Sequence, residues 1–228
     1  MKHPADRPTA TVEDYLQEIY DQLERGKTVI AARIAERIGV SPPTAWATLQ
    51  RMQRDDLVEM HDRRDIHLTG RGKEAAESIK RRHLLTERLL VDILGLDWAD
   101  AHEEAHRIEH AVSPRVEERI MAILGYPTTC PHGNPFPGYS GPPTVPLSEL
   151  SEGSEREVDG VREDAEDDPD LMRFYQQNGL VPGTRIEVVE IASYNSTITV
   201  EIGGRRVVLG LPAAERLRVR ELVSAPTS

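Results

Sequence analysis

Residues 31–52, "AARIAERIGVSPPTAWATLQRM", restrict the fold more than any other stretch of the chain. A helix ending at Gly39, a short turn, and a second helix opened by Ser41 as N-cap with Pro42 at its first position read as a helix-turn-helix. Ile34, Ala35, Ile38, Val40, Ala45, Leu49 and Met52 are the apolar positions that pack two such helices across each other. "LVEMHDRRDIHLTGRG" then gives two alternating strands around a charged tip, which makes the unit a winged helix. A plain helical hairpin is the bland alternative. The wing and the arginines Arg51, Arg54, Arg63 and Arg64 weigh against it, because a winged helix commonly sets its second helix in the major groove with arginines on phosphates.

Charge is consistent with that use once it is resolved along the chain. The net charge is -11, yet residues 27–82 hold twelve Lys/Arg against eight Asp/Glu, a local +4. Residues 148–178 hold eleven Asp/Glu against three Arg, a local -8, so the average hides a basic front and an acidic connector. The apolar content of 38% contains no run long enough to span a bilayer, and "MKHPADRPTATVEDYL" has no signal-type apolar stretch. A cytoplasmic protein with no membrane partner is expected. The single cysteine excludes an internal disulfide framework and any multi-cysteine zinc site. Cys130 sits in the Gly/Pro-rich "TTCPHGNPFPGYSG" and reads as an ordinary loop thiol, so metal ligation is expected from nitrogen and oxygen alone.

The chemistry concentrates in "AHEEAHRIEHAV", residues 101–112. At about 100° per residue, His102, His106, Glu109 and His110 fall at about 0°, 40°, 340° and 80° around a helix, one face bordering the apolar stripe of Ala105, Ile108 and Val112. A half-buried cation site is the natural reading, and a solvated histidine-rich helix is the bland one. Residues 102–106 also spell the H-E-x-x-H zinc-metallopeptidase signature. That reading needs a third ligand at position 112 or a later Glu, and a substrate strand before the motif. Position 112 is Val, and the preceding residues read as helices plus a wing. A metal-buffering or purely dimeric scaffold fits the ligands but leaves the winged helix without a use.

Around this core of motifs the chain reads as a helix over 11–25 with Leu16, Ile19, Tyr20 and Leu23 buried and a Thr11/Asp14 capping box. One long helix is expected from Gly72 to Leu94, carrying His83 and Glu87 on a shared face and apolar faces broad enough to need a dimer partner. "SPRVEERIMAIL" gives another helix. The acidic connector reads as partly disordered, and residues 179–222 as a small barrel of short strands.

The quoted segments "VEDYLQEIY", "AARIAERIGVSPPTAWATLQRM", "RRHLLTERLL", "HEEAHRIEHAVS" and "HGNPFPG" resemble, in order and spacing, the diphtheria-toxin-repressor (DtxR/MntR) family of metal-dependent transcriptional regulators. The resemblance covers nearly the whole chain. It implies a primary metal site of Asp14, His106, Glu109 and His110, and an ancillary site of His83, Glu87 and His102 with a carboxylate at Asp168. Iron-responsive members have a sulfur ligand at the position of His106 and a Met at that of Asp14; manganese-responsive members have the Asp and, three residues on, a Glu where this chain has Gln17. A sulfur-free donor set suits Mn(II), with Fe(II) as the alternative effector. For DNA the resemblance implies base-proximal Ser41, Pro43 and Thr44 and phosphate contacts from Arg33, Arg51, Arg54 and Arg64.

The expected architecture is mainly α with small β parts. It comprises a winged-helix DNA-binding domain over 1–75, a helical metal-binding and dimerisation domain over 76–146, an acidic linker over 147–178 and an SH3-like domain over 179–228. The expected function is a non-enzymatic, Mn(II)-activated transcriptional regulator, a repressor of metal-uptake genes, that binds a palindromic double-stranded operator as a homodimer, with no small organic substrate and with Fe(II) activation as the alternative. In that picture Asp14 stands on the winged unit, the other primary ligands stand on the dimer-side helices, and only the cation joins them.

Overall fold

A computed structural model of the chain describes residues 7–62 and 65–222, without the side chain of Asp62. Its contacts divide into two compact units, Met1–His83 with Glu109–Val112, and Leu84–Ile108 with Ser113–Ser228.

The first unit is built on α1 (Ala10–Glu24), α2 (Ala31–Ile38) and α3 (Pro42–Arg54). Gly39 adopts φ +75° and ends α2 in the left-handed conformation that costs glycine little. The Ser41 hydroxyl accepts from the Thr44 amide at 3.3 Å, and proline follows at the first helical position, as the sequence predicts. α1 differs from expectation at its start. Thr9 is the N-cap, without a side-chain cap bond, so the Thr11/Asp14 capping box does not form and Asp14 points elsewhere. Leu16, Ile19, Ile34, Ala45, Leu49 and Met52 interlock in one buried core. Each of the leucine, isoleucine and methionine side chains contributes roughly 1.5–3 kcal/mol by leaving water. Strands β1 (Val58–Asp62) and β2 (Asp65–Leu68) pair antiparallel as the wing, with Val58 opposite Leu68 and Met60 opposite Ile66. Arg63 and Arg64 at its tip lie outside the described residues.

The long helix begins and ends earlier than the periodicity predicts. α4 (Gly70–Arg88) gives way to one turn of wider π-helix, Leu89–Ile93. α5 (Trp98–Ile108) passes into a 3-10 turn, Glu109–Ala111, followed by α6 (Pro114–Ile123), which Ser113 caps.

The rest of the second unit corrects the expectation of an acidic linker over 147–178. That stretch supplies β4 (Glu155–Val161), α7 (Glu163–Glu166) and α8 (Pro169–Gln177), and β4 is an interior strand. With β3 (Val145–Pro146), β5 (Arg185–Ala192), β6 (Thr197–Ile202), β7 (Arg205–Gly210), α9 (Leu211–Arg216) and β8 (Leu217–Arg220), a six-stranded antiparallel sheet forms in the order β3-β8-β4-β5-β6-β7. The reason is local: Val158, Val161, Ala165, Met172 and Tyr175 are fully buried among the sheet residues, and most of the acidic side chains occupy positions between them that keep some contact with solvent, Glu166 excepted. The small C-terminal domain is SH3-like and starts some thirty residues earlier than the sequence suggests, at Val145 rather than 179. Among the described residues no helix is long and apolar enough to cross a membrane.

Candidate metal centres

Within each compact unit one group of ligand-type side chains assembles. In the first, single donor atoms of Asp14, Glu109 and His110 all lie within 4.8 Å of one another. α1 supplies Asp14, and the 3-10 turn after α5 supplies the other two. His110 Nε2 lies 3.0 Å from Asp14 Oδ1 and 3.5 Å from Glu109 Oε1. Glu109 is fully buried, with Oε2 held at 2.6 Å by His83 Nδ1, whereas the Asp14 side chain keeps 43% of its exposure. An open edge beside a buried carboxylate is how an exchangeable cation site is built. Glu13, which sequence reasoning passed over, is also buried here, against Arg7, Arg82 and His110. Arg7 in addition donates to the Val112 and Glu109 carbonyls.

These contacts correct the expectation that only a cation joins α1 to the turn. Glu109–Val112 packs with the winged helix, and the ties are direct: His110 to Glu13 at 2.8 Å and to Asp14, and Arg7 across both pieces.

In the second group, donor atoms of Glu87, Cys130, His132 and Glu166 lie within 4.8 Å of one another, and all four residues are buried. His132 Nδ1 stands 3.0 Å from Glu166 Oε1 and 3.6 Å from Glu87 Oε2, and Asn134 Nδ2 donates to Glu166 Oε1. His102 Nδ1 meets Glu87 Oε1 at 2.8 Å and Glu166 Oε2 at 3.5 Å. Burial pushes the Cys130 thiol pKa well up, and the neighbouring Glu87 and Glu166 charges add to it. Two carboxylates, an imidazole and a thiol enclosed together, with the half-buried His102 beside them, are costly unless charge is balanced, and a divalent cation would balance it.

Backbone packing places this group. Gly133, at φ +87°, and Gly160 press the loop onto β4. A Cβ on Gly133 would stand 2.1 Å from the Asp159 carbonyl oxygen, and one on Gly160 2.4 Å from that of His132. The Val161 amide donates to the His132 carbonyl at 2.9 Å across the same contact.

The comparisons with known proteins bear on what such groups serve. Family models describing the iron dependent repressor match residues 8–66 as its N-terminal DNA binding domain and residues 69–138 as its metal binding and dimerisation domain; a FeoA domain model matches 145–221. The chain is 39% identical over 225 residues to the iron-dependent repressor IdeR of Mycobacterium leprae, covering 93% of this chain and 97% of that one. The chain belongs to the diphtheria-toxin-repressor family. Another member, the diphtheria toxin repressor of Corynebacterium diphtheriae, is 36% identical over 231 residues, covering 93% of this chain and 97% of its own. A solved manganese-dependent transcriptional repressor in complex with manganese superposes with a TM-score of 0.81 at 35% identity, over 92% of this chain and all of that one. Membership establishes a metal-dependent DNA-binding repressor, and the peptidase alternative drawn from H-E-x-x-H is set aside. Glu103, its would-be base, is exposed and paired with Arg107 on its own helix.

The sequence-predicted residues of this family member fall as follows. Asp14, Glu109 and His110 come together, and His83 joins them through Glu109. His106 belongs to the other unit, where its ring stands edge-on to that of His102 with centroids 5.1 Å apart. Glu87 and His102 meet in the second group. Asp168 does not join them, which is a correction: it caps α8, accepting from the Leu171 amide at 3.1 Å, and lies 3.9 Å from Arg216. Glu166, turned inward by α7, takes the place expected of it. Cys130 is corrected too: it stands on a loop as expected, but as a buried neighbour of both carboxylates rather than an ordinary thiol, so nitrogen and oxygen are not the sole donors on offer. His132 was not anticipated as a ligand at all, although "CPHG" places a thiol and an imidazole two residues apart. Of the DNA-facing candidates, Arg33, Ser41, Pro43, Thr44, Arg51 and Arg54 are all exposed on one unit.

Proposed function

We propose that the chain is a Mn(II)-activated repressor that binds a palindromic operator as a homodimer and controls metal-uptake genes. The observation that carries the choice of ion is the sulfur-free group of Asp14, Glu109 and His110, a hard oxygen and imidazole set at an open edge. His106 is proposed as a further ligand on its spacing, three and four residues before Glu109 and His110. Glu87, Cys130, His132, Glu166 and His102 are proposed to hold a second cation. Fe(II) is the second reading, favoured by the naming of the mycobacterial relatives and by Cys130 in the second group.

A bound cation supplies positive charge between two carboxylates that otherwise repel. Asp14 then stays fixed to the turn, and α1 carries that constraint to the core on which α2 and α3 pack. Ser41, Pro43 and Thr44 face bases, while Arg33, Arg51, Arg54 and Arg64 add affinity and salt dependence. Exposed Ile93, Leu94, Val116, Ile123 and Tyr126 supply apolar surface for a second copy. Two recognition helices then read half-sites about one DNA turn, roughly 34 Å, apart. Linkage requires that metal also bind more tightly on DNA, typically by about 1–3 kcal/mol. The test is operator binding by fluorescence anisotropy with Mn(II), with anaerobic Fe(II), and after chelation. Binding undiminished by chelation overturns metal activation, and Fe(II) activating where Mn(II) does not overturns the choice of ion.

A further inference from the structure

Glu13 is buried, is not a member of the three-residue donor group, and spends its whole carboxylate on three cationic or polar partners. Arg82 donates to its Oε1 at 2.6 Å and Arg7 Nε to the same atom at 2.8 Å, while His110 Nδ1 lies 2.8 Å from its Oε2. A carboxylate flanked by two guanidinium groups can only accept, so His110 Nδ1 must carry the hydrogen of that bond. Nε2, the other ring nitrogen, faces Asp14 Oδ1 at 3.0 Å and Glu109 Oε1 at 3.5 Å. One imidazole thus has one nitrogen committed to a pinned acceptor and the other aimed at the remaining members of the donor group.

We infer that Glu13 is a positioning residue, which fixes the tautomer and the aim of His110 so that Nε2 is the atom offered to a cation. The inference rests on the proposed metal reading of the Asp14–Glu109–His110 group and deepens it. A histidine ligand whose second nitrogen donates to a carboxylate is both oriented and made more basic, and loss of such a partner usually lowers metal affinity about 10–100-fold. Arg82 and Arg7 serve this role indirectly. They hold Glu13 in place, and Arg7 also binds the Glu109 and Val112 carbonyls, so the turn bearing His110 and the carboxylate that aims it share one clamp.

The test reads the ring nitrogens of His110 by long-range 1H–15N NMR at a pH of about 8, where an ordinary imidazole is neutral. Wild-type full-length protein is measured without metal and with Cd(II), a diamagnetic probe. The expected spectrum has Nδ1 protonated in both samples and Nε2 shifted by Cd(II). In Glu13→Ala the tautomer becomes mixed and Mn(II) affinity, read by equilibrium dialysis, falls about 10–100-fold; in Glu13→Gln, whose one oxygen stays with Arg7 and Arg82 and whose NH2 then faces Nδ1, the Nε2–H form gains and affinity falls as well. An Nδ1 without a proton in the wild type overturns the inference whether or not the alanine variant folds. So does an alanine variant with wild-type tautomer and affinity. A His110 resonance indifferent to Cd(II) overturns the metal reading itself and removes the ion at which Glu13 would aim it.

Discussion

The two ligand groups use similar side chains to different ends. Asp14, Glu109 and His110 come from one helix and one adjoining turn, with Asp14 and His110 reaching solvent. Glu87, Cys130, His132 and Glu166 come from α4, a Gly/Pro-rich loop and α7, and all are enclosed. The open group can load and release an ion without unpacking anything, as a sensor of free cation must. The enclosed group needs its loop to move before an ion passes, and its sulfur donor shifts preference toward softer ions. On the proposed metal reading, sensing and long-term retention fall to different places by burial as much as by ligand type.

The sharpest way to break this contrast is Asp14→Ala. The gain in operator affinity on adding Mn(II), about 5–150-fold by the usual size of allosteric coupling, should vanish, while Cd(II) binding at the enclosed group persists. Anisotropy titrations with and without Mn(II) read the first, and competition dialysis the second. Cys130→Ser should do the converse: Cd(II) affinity at the enclosed group falls by about an order of magnitude and its sulfur-to-metal absorption disappears. Mn(II)-dependent DNA binding is retained. If both variants lose DNA binding equally, the division of labour is wrong.

A smaller effect separates two neighbouring acids. Glu166→Gln should weaken Cd(II) binding, whereas Asp168→Ala should leave it intact and cost only the helix cap, about 0.5–2 kcal/mol of stability in denaturant titration. The smallest effect concerns Cys130 itself. Because burial and the flanking carboxylates raise its thiol pKa, the folded protein keeps the proton through neutral pH. Iodoacetamide should then react only after unfolding, and Cd(II) affinity at this group should rise with pH, since the ion displaces that proton. Rapid alkylation of native protein would contradict the enclosure.

The winged helix was legible because its signals are local: Gly39 ends one helix, Ser41-Pro42 opens the next, and the apolar spacing fits both. The shared face of His102, His106, Glu109 and His110 was legible for the same reason, though the 3-10 turn after Ile108 re-aims its last members. Cys130, His132 and Glu166 were not, because their meeting depends on a loop laid against β4, which no periodicity records. Asp168 was misassigned although a signal was present. Asp168-Pro169 is an N-cap followed by proline, the pattern already used at Ser41-Pro42, and it reserves that carboxylate for a helix end. The acidic stretch misled because charge density outweighed the buried Val158, Val161 and Ala165 set within it.

Gly133 and Gly160 carry a consequence that reaches past their own backbones. Neither bears a donor atom, yet the loop and the strand touch only because both lack a side chain at the point of approach. Adding one methyl to either would wedge the two apart and carry His132 off with the loop, dispersing the donor group although every donor side chain is intact. An inventory of ligands alone would pass such a variant as harmless.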